Sequence, residues 1–327
     1  MATIKEVAKQ AGVSVATVSR VLNETGYVHE DTRAKVNQAI QHLHYTPNEV
    51  ARSLFKRKSK LIGLLLPDIT NPYFPELARG VEDRMQESNY RLIFGNSDED
   101  EHKERDYIQT FVQNNVVGVI SSTNDPNAVS YSKLKIPVVF LDRTSDDKPS
   151  VFADGREGGR IAAQEMVRRG SRGIVIQRGP QQVRPAQDRF LGAMEVLESA
   201  PGVTVDIMQN ASFSYNEAVQ GAKELFEKFP QTDGIIASND IAGAALLHEA
   251  LRLNKRIPED VQIIGFDDIP LSSLVYPPLS TIRQPAYEMG REAAELLIQF
   301  IENNLVAQHK IQLPVSFMER GTTRKVD

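Results

Sequence analysis

Apolar positions recur every three or four residues through residue 43, and beyond residue 60 the rhythm changes. Ile4, Val7, Ala8 and Ala11 share one helical face, Thr3 and Glu6 stand at capping-box spacing, and Gly12 supplies a stop. Val13 and Ser14 turn the chain, with Ser14 a second candidate N-cap, and a short helix is expected over Val15–Asn23. A third helix is expected from near Asp31, with Val36, Ile40 and Leu43 on one face. Two helices joined by a turn of about four residues and braced by a third is the helix-turn-helix layout, here assigned to residues 1–46. Spacing alone fits equally well a small bundle that merely packs.

From residue 60 onward, short β-rich runs at 61–66, 116–120, 137–141, 173–176, 234–237 and 261–266 alternate with amphipathic stretches at 74–88, 157–169, 216–228 and 242–253. Strand–helix alternation predicts parallel sheet and a doubly wound α/β fold for residues 61–327. Residues 47–60 lie between the two patterns. Pro47 can end the preceding helix and Asn48 can cap a short one, but about two turns cannot hold as a helix alone. Lys56-Arg57-Lys58 then forms a basic linker.

Composition is ordinary for a globular protein, 41% hydrophobic and 25% charged. With no cysteine, disulfides and thiolate metal sites are excluded, which fits a reducing compartment. The first residues are polar, no signal-peptide segment is visible, and no run approaches the roughly 20 apolar residues of a membrane span, so a cytoplasmic protein without a membrane partner is expected. The charge is uneven. Residues 1–60 hold ten Lys/Arg against five Asp/Glu, a net of +5, which leaves −10 for the rest of a chain whose total is −5. A basic head on an acidic body is the pattern expected when one end meets phosphate.

In doubly wound sheets ligands sit outside the carboxyl ends of the strands, so the residues that follow each run are informative. Asn71, Tyr73 and Phe74 follow the first run, Asp142-Arg143 the third, and Gly179-Pro180 the fourth, with Arg189 at the start of a helix beyond. Asn239-Asp240 and Asp267-Asp268 follow the last two runs. Each taken alone is most often a turn residue or cap; five strand ends agreeing point to a cleft. Carboxylates and guanidinium groups there can satisfy adjacent hydroxyls bidentately, and Tyr73, Phe74 and Phe213 can cover apolar ring faces, which suits a small polyol. There is no glycine-rich phosphate loop, no nucleophile elbow and no histidine pair at metal-ligand spacing, so neither an enzyme nor a cofactor or metal is expected.

Thr3-Ile4-Lys5-Glu6-Val7-Ala8, Ala11-Gly12-Val13-Ser14, Thr17-Val18-Ser19-Arg20-Val21-Leu22-Asn23 and Val50-Ala51-Arg52-Ser53-Leu54 resemble the lactose/galactose repressor family, and the likeness extends along essentially the whole chain. The resemblance implies that the second helix enters the major groove of a pseudo-palindromic operator. Val15, Ala16 and Arg20 would face base edges, with Arg20 able to read guanine bidentately. Thr3, Ser14, Thr17, Ser19 and Asn23 would serve the phosphates or the turn. It makes residues 47–60 a hinge that folds when two copies pair in the minor groove, with Val50 and Lys56 on the DNA and Leu54 wedged between bases.

For the core it implies the two-lobed fold of periplasmic sugar-binding proteins, with three crossings between lobes: one lobe of about 61–155 and 287–313, another of about 156–286 and 314–327. The ligand set it implies is Asn71, Tyr73, Phe74, Asp142, Arg143, Arg189, Phe213, Asn239, Asp267 and Gln284. Asn71-Pro72-Tyr73-Phe74 and Leu141-Asp142-Arg143 further resemble the ribose-binding transport protein, so the expected effector is ribose. Another pentose or a phosphorylated sugar is the alternative, since Tyr73 adds a hydroxyl there. A homodimer is implied, and no leucine heptad of the kind that makes tetramers in some members closes the chain at Arg324-Lys325-Val326-Asp327. The family also allows a phosphocarrier protein as corepressor. A transport sugar-binding protein is the rival of another class, disfavoured by the head and the missing export signal.

Overall fold

The computed structural model describes residues 2–45, 59–143, 147–302 and 308–326. The chain divides into two compact units, Met1–Ser59 and Lys60–Asp327.

In the head, α1 (Ile4–Ala11), α2 (Val15–Asn23) and α3 (Glu30–His42) enclose a small core of Val7, Ala8, Ala11, Val18, Val21, Val36 and Ala39. Thr3 and Glu6 close a complete capping box on α1. Gly12, at φ +65°, ends that helix in the left-handed region, where a side chain would be strained. The third helix begins one residue earlier than its apolar pattern predicts, because His29 accepts from the Asp31 amide as its cap.

In chain order the second unit runs β1 (Leu61–Leu66), α4 (Tyr73–Glu87), β2 (Arg91–Asn96), α5 (Glu101–Gln113), β3 (Gly118–Ser121), α6 (Val129–Ser132), β4 (Val138–Leu141) and β5 (Ser150–Ala153). It continues with α7 (Gly155–Arg168), β6 (Gly173–Arg178), α8 (Arg184–Leu197), β7 (Thr204–Gln209), α9 (Tyr215–Lys228), β8 (Gly234–Ile236), α10 (Asp240–Arg252) and β9 (Gln262–Asp267). Last come α11 (Pro270–Leu274), β10 (Ser280–Arg283), α12 (Ala286–Ile301), β11 (Lys310–Leu313) and β12 (Ser316–Met318).

These strands form two six-stranded sheets, ordered β11-β5-β4-β3-β1-β2 and β12-β10-β9-β8-β6-β7. Every pairing is parallel except β10 with β12. Each sheet is covered by helices, so its central strands are buried on both faces and read as continuous apolar runs. The chain leaves the first sheet after β5, returns after β10, and passes again between β11 and β12.

Two helix pairs hold this frame through glycine contacts. Gly80 on α4 lies where a Cβ would sit 2.0 Å from the Tyr287 carbonyl oxygen of α12, and Gly159 on α7 where a Cβ would sit 2.0 Å from that of Arg189 on α8. Backbones this close leave no room for a methyl group, and the second contact fixes the turn of α8 that carries Arg189.

Candidate functional site

Two acids at matching strand ends frame the cleft. Asp142 follows β4 at φ +67° and Asp267 ends β9 at φ +111°. Non-glycine residues seldom hold such angles, and each costs on the order of 1–3 kcal/mol that the surrounding structure must offset. Both residues are nearly buried, 8% and 6% exposed. The Tyr73 hydroxyl donates to Asp142 Oδ1 at 3.0 Å. Gln284 Nε2 donates to Asp267 Oδ1 at 2.7 Å, and Arg189 reaches the same oxygen at 3.3 Å.

Burial pushes the Asp142 carboxyl above its ordinary range, with Arg189 and Arg143 pulling it back. Burial also raises Asp267 to about 7 despite the opposing charge of Arg189, with Asp240 adding to the rise. Asp240, raised by burial to about 6, accepts from the Ile269 amide, the Ser272 hydroxyl and the Thr281 hydroxyl. Its oxygens are thus spent on tying β10 and α11 to α10, which makes it a structural acid.

The two arginines are held differently. Arg189 lies with its guanidinium 3.8 Å from the Phe266 ring centroid and donates to the Ser238 carbonyl at 3.0 Å. Arg143 gives Glu99 two parallel bonds of 2.7 Å and gives Asn124 Oδ1 one of 2.6 Å. Asn239 caps α10 by accepting from the Ala242 amide at 2.8 Å. Among the described residues, Arg143 Nε, Arg189 Nε and Asn239 Nδ2 are buried donors without a hydrogen-bond partner.

Asn71, Tyr73, Phe74, Asp142 and Arg143 from the first sheet's side, and Arg189, Phe213, Asn239 and Asp267 from the second, line one cavity. Gln284 lies beside it, lining an adjoining space with Asp142, Phe152, Gly155, Arg184 and Asp188. A Cβ at Gly179 would stand 2.7 Å from the Phe213 ring, so only glycine lets that ring close over the cavity.

Glu99, Asn124 and Phe266, which hold the two arginines, are absent from the set expected from sequence. The strand-end rule finds the first two: Glu99 stands three residues beyond β2 and Asn124 three beyond β3. Arg189 lies in the second turn of α8 rather than at its start, because Pro185 opens that helix earlier.

In the head, α2 buries Val18 and Val21 and leaves Val15, Ala16 and Arg20 exposed, Val15 by 41%. Ser14 accepts from the Thr17 amide at 3.1 Å, and the two hydroxyls lie 2.9 Å apart. Asn23 turns back onto the Ser19 carbonyl at 2.8 Å. Val50, Leu54 and Lys56 lie outside the described residues.

Comparison with known proteins agrees with this arrangement. Residues 3–48 match the model of bacterial regulatory proteins of the lacI family, and residues 163–323 match a periplasmic binding protein-like domain. The ribose operon repressor of Bacillus subtilis (strain 168) is 58% identical over 327 residues, spanning 100% of both chains. A lac repressor dimer solved bound to operator and an anti-inducer superposes with a TM-score of 0.90 at 25% identity, covering 99% of each chain. A periplasmic binding protein/LacI transcriptional regulator from Alkaliphilus metalliredigens QYMF, solved with D-xylulofuranose, gives a TM-score of 0.75 at 29% identity over 82% of this chain and 100% of that one. The chain belongs to the lacI family of bacterial regulatory proteins.

Proposed function

We propose that this regulator represses a ribose-utilisation operon, and that ribose bound between the two sheets controls its grip on DNA. The observation that carries the sugar is the set of unspent donors. Arg143 Nε, Arg189 Nε and Asn239 Nδ2 belong to residues that line one cavity together with Asp142 and Asp267. A buried donor without an acceptor costs about 1–3 kcal/mol, and a ring bearing several hydroxyls supplies acceptors to the donors and protons to the acids. The aromatic faces of Phe74 and Phe213 suit the apolar sides of such a ring. The full-length relative named a ribose operon repressor favours ribose among sugars of this size. The neighbour solved with D-xylulofuranose supports a second reading, another furanose pentose.

On this reading the chain acts in the cytoplasm as a homodimer on a pseudo-palindromic operator, with Arg20 and the exposed end of α2 at base edges and Leu54 as the wedge. It needs no catalytic step and no cofactor. Titration calorimetry with ribose, alongside gel shifts on a cognate operator and on random DNA, tests it. Wild type is expected to bind ribose, while Arg143→Ala and Asp267→Ala each lose roughly tenfold to over a hundredfold in affinity, the worth of one charged hydrogen-bonding partner at about 1.5–3 kcal/mol. Heat from a hexose and none from ribose would remove the ribose assignment, and no preference for operator over random DNA would remove the repressor.

A further inference from the structure

Glu99 is not among the residues that frame the cavity, yet it decides what Arg143 presents there. Its carboxylate takes both terminal nitrogens of Arg143 at 2.7 Å. Asn124 closes the triangle, donating to Glu99 at 2.6 Å and accepting from Arg143 at 2.6 Å. The Arg143 side chain is 4% exposed and that of Glu99 39% exposed, so the pair has one end buried at the cleft and the other towards water. The backbone supports this placement at some cost: Asp98 and Glu99 both hold positive φ, at +51° and +60°.

Two consequences follow. A bidentate fork fixes the guanidinium plane, so that Nε is the nitrogen left without a partner among the described residues. It also cancels the charge of Arg143. The Arg143 charge is thus already matched by Glu99, and the other acids facing the cavity are the carboxyls of Asp142 and Asp267.

Resting on the reading above, we infer that Glu99 is the specificity-determining residue that restricts this cleft to uncharged sugars, by occupying the arginine fork that a phosphate would otherwise take. Glu99 is a positioning residue: it acts on the ligand through Arg143. A phosphate would have to displace Glu99 from Arg143 and sit among the carboxyls of Asp142 and Asp267, whereas a neutral ring leaves the clamp intact. Replacing the carboxylate by an amide keeps the size and removes both effects.

The test uses the full chain and two probes, ribose and ribose 5-phosphate, titrated calorimetrically against wild type, Glu99→Gln and Asn124→Ala. Circular dichroism melts verify folding. Wild type is expected to bind ribose and to give no heat with the phosphate ester. In Glu99→Gln the ratio of ribose 5-phosphate to ribose affinity should rise at least tenfold, through weaker ribose binding, new phosphate binding, or both. Asn124→Ala keeps the charge, so it should weaken ribose several-fold without admitting the ester, a separation that a merely structural role of the triangle would not produce. An unchanged ratio in Glu99→Gln overturns the inference, as does wild type binding the ester with Glu99 in place. Wild type that prefers another neutral sugar removes only the ribose assignment; that sugar and its phosphate ester then replace the two probes, and the same ratio decides the role of Glu99.

Discussion

At the scale of single residues, the cleft is a place where local stability is given up for chemistry. Asp142 and Asp267 sit in strained backbone and in surroundings that disfavour their charge. The sign of the pH effect follows from the direction of the shift. Burial first, with Arg189 opposing and Asp240 adding, raises the folded-state Asp267 to about 7. An unfolded aspartate titrates near about 3.9. The folded form therefore holds its proton more tightly than the unfolded one. Stability from this group is fully present below pH ~4 and is lost as pH rises to about 7, on the order of 4 kcal/mol in all. Asp267→Asn removes that titration. Without sugar, its core should gain on wild type in urea or thermal unfolding as pH goes from 5 to 8, even though ribose affinity falls. If the two proteins lose stability in parallel over that range, Asp267 is not paying the cost assigned to it here.

At the scale of elements, Arg189 reaches the cleft because α7 and α8 pack backbone to backbone. Gly159→Ala would place a methyl carbon 2.0 Å from the Arg189 carbonyl oxygen, so α8 has to shift. Overpacking of this kind costs roughly 1–3 kcal/mol. Because the shift carries Arg189 with it, ribose affinity should drop as well. A variant that loses stability but keeps full ribose affinity would show that α8 does not position Arg189 through this contact.

The same elements show what was legible beforehand. β1, β4 and β9 lie inside their sheets, so their sequences are apolar runs that stand out, and the residues just after them announce the cleft. β2 and β7 are edge strands with solvent on one side, and Arg91, Thr204 and Asp206 break up their apolar signal. β5 and β10 bury Ser150, Ser280 and Thr281, polar residues that only tertiary pairing explains. The apolar face of α5, Ile108 and Phe111, is masked by its many charges. Because β2 escaped notice, so did Glu99 beyond its end. Residue chemistry is readable where burial is uniform and fades where a strand is short, polar or at an edge.

At the scale of the whole molecule, charge and architecture assign separate tasks to the two units. The +5 head suits sequence-independent attraction to phosphate, which weakens steeply with salt, and on the proposed reading the exposed end of α2 supplies the base contacts. The core contributes a ligand cleft whose two walls come from different sheets, joined by three chain crossings. A sugar that bonds both walls favours whichever arrangement of them it fits best. It can change DNA affinity only by as much as its own affinity differs between the DNA-binding form and the other. The coupling is a free energy shared by the two ligands, so it must be the same measured from either side. The operator dissociation constant with and without saturating ribose should therefore change by a factor typical of such switches, roughly 5–150. The ribose dissociation constant with and without saturating operator should change by that same factor, in the same direction. Both ratios come from fluorescence anisotropy on a labelled operator and calorimetry on ribose, at one salt concentration and one pH. Two ratios of one would mean that ribose occupies the cleft without controlling the head. Two unequal ratios would mean that a third component, such as a change in oligomeric state, is linked to one of the binding steps.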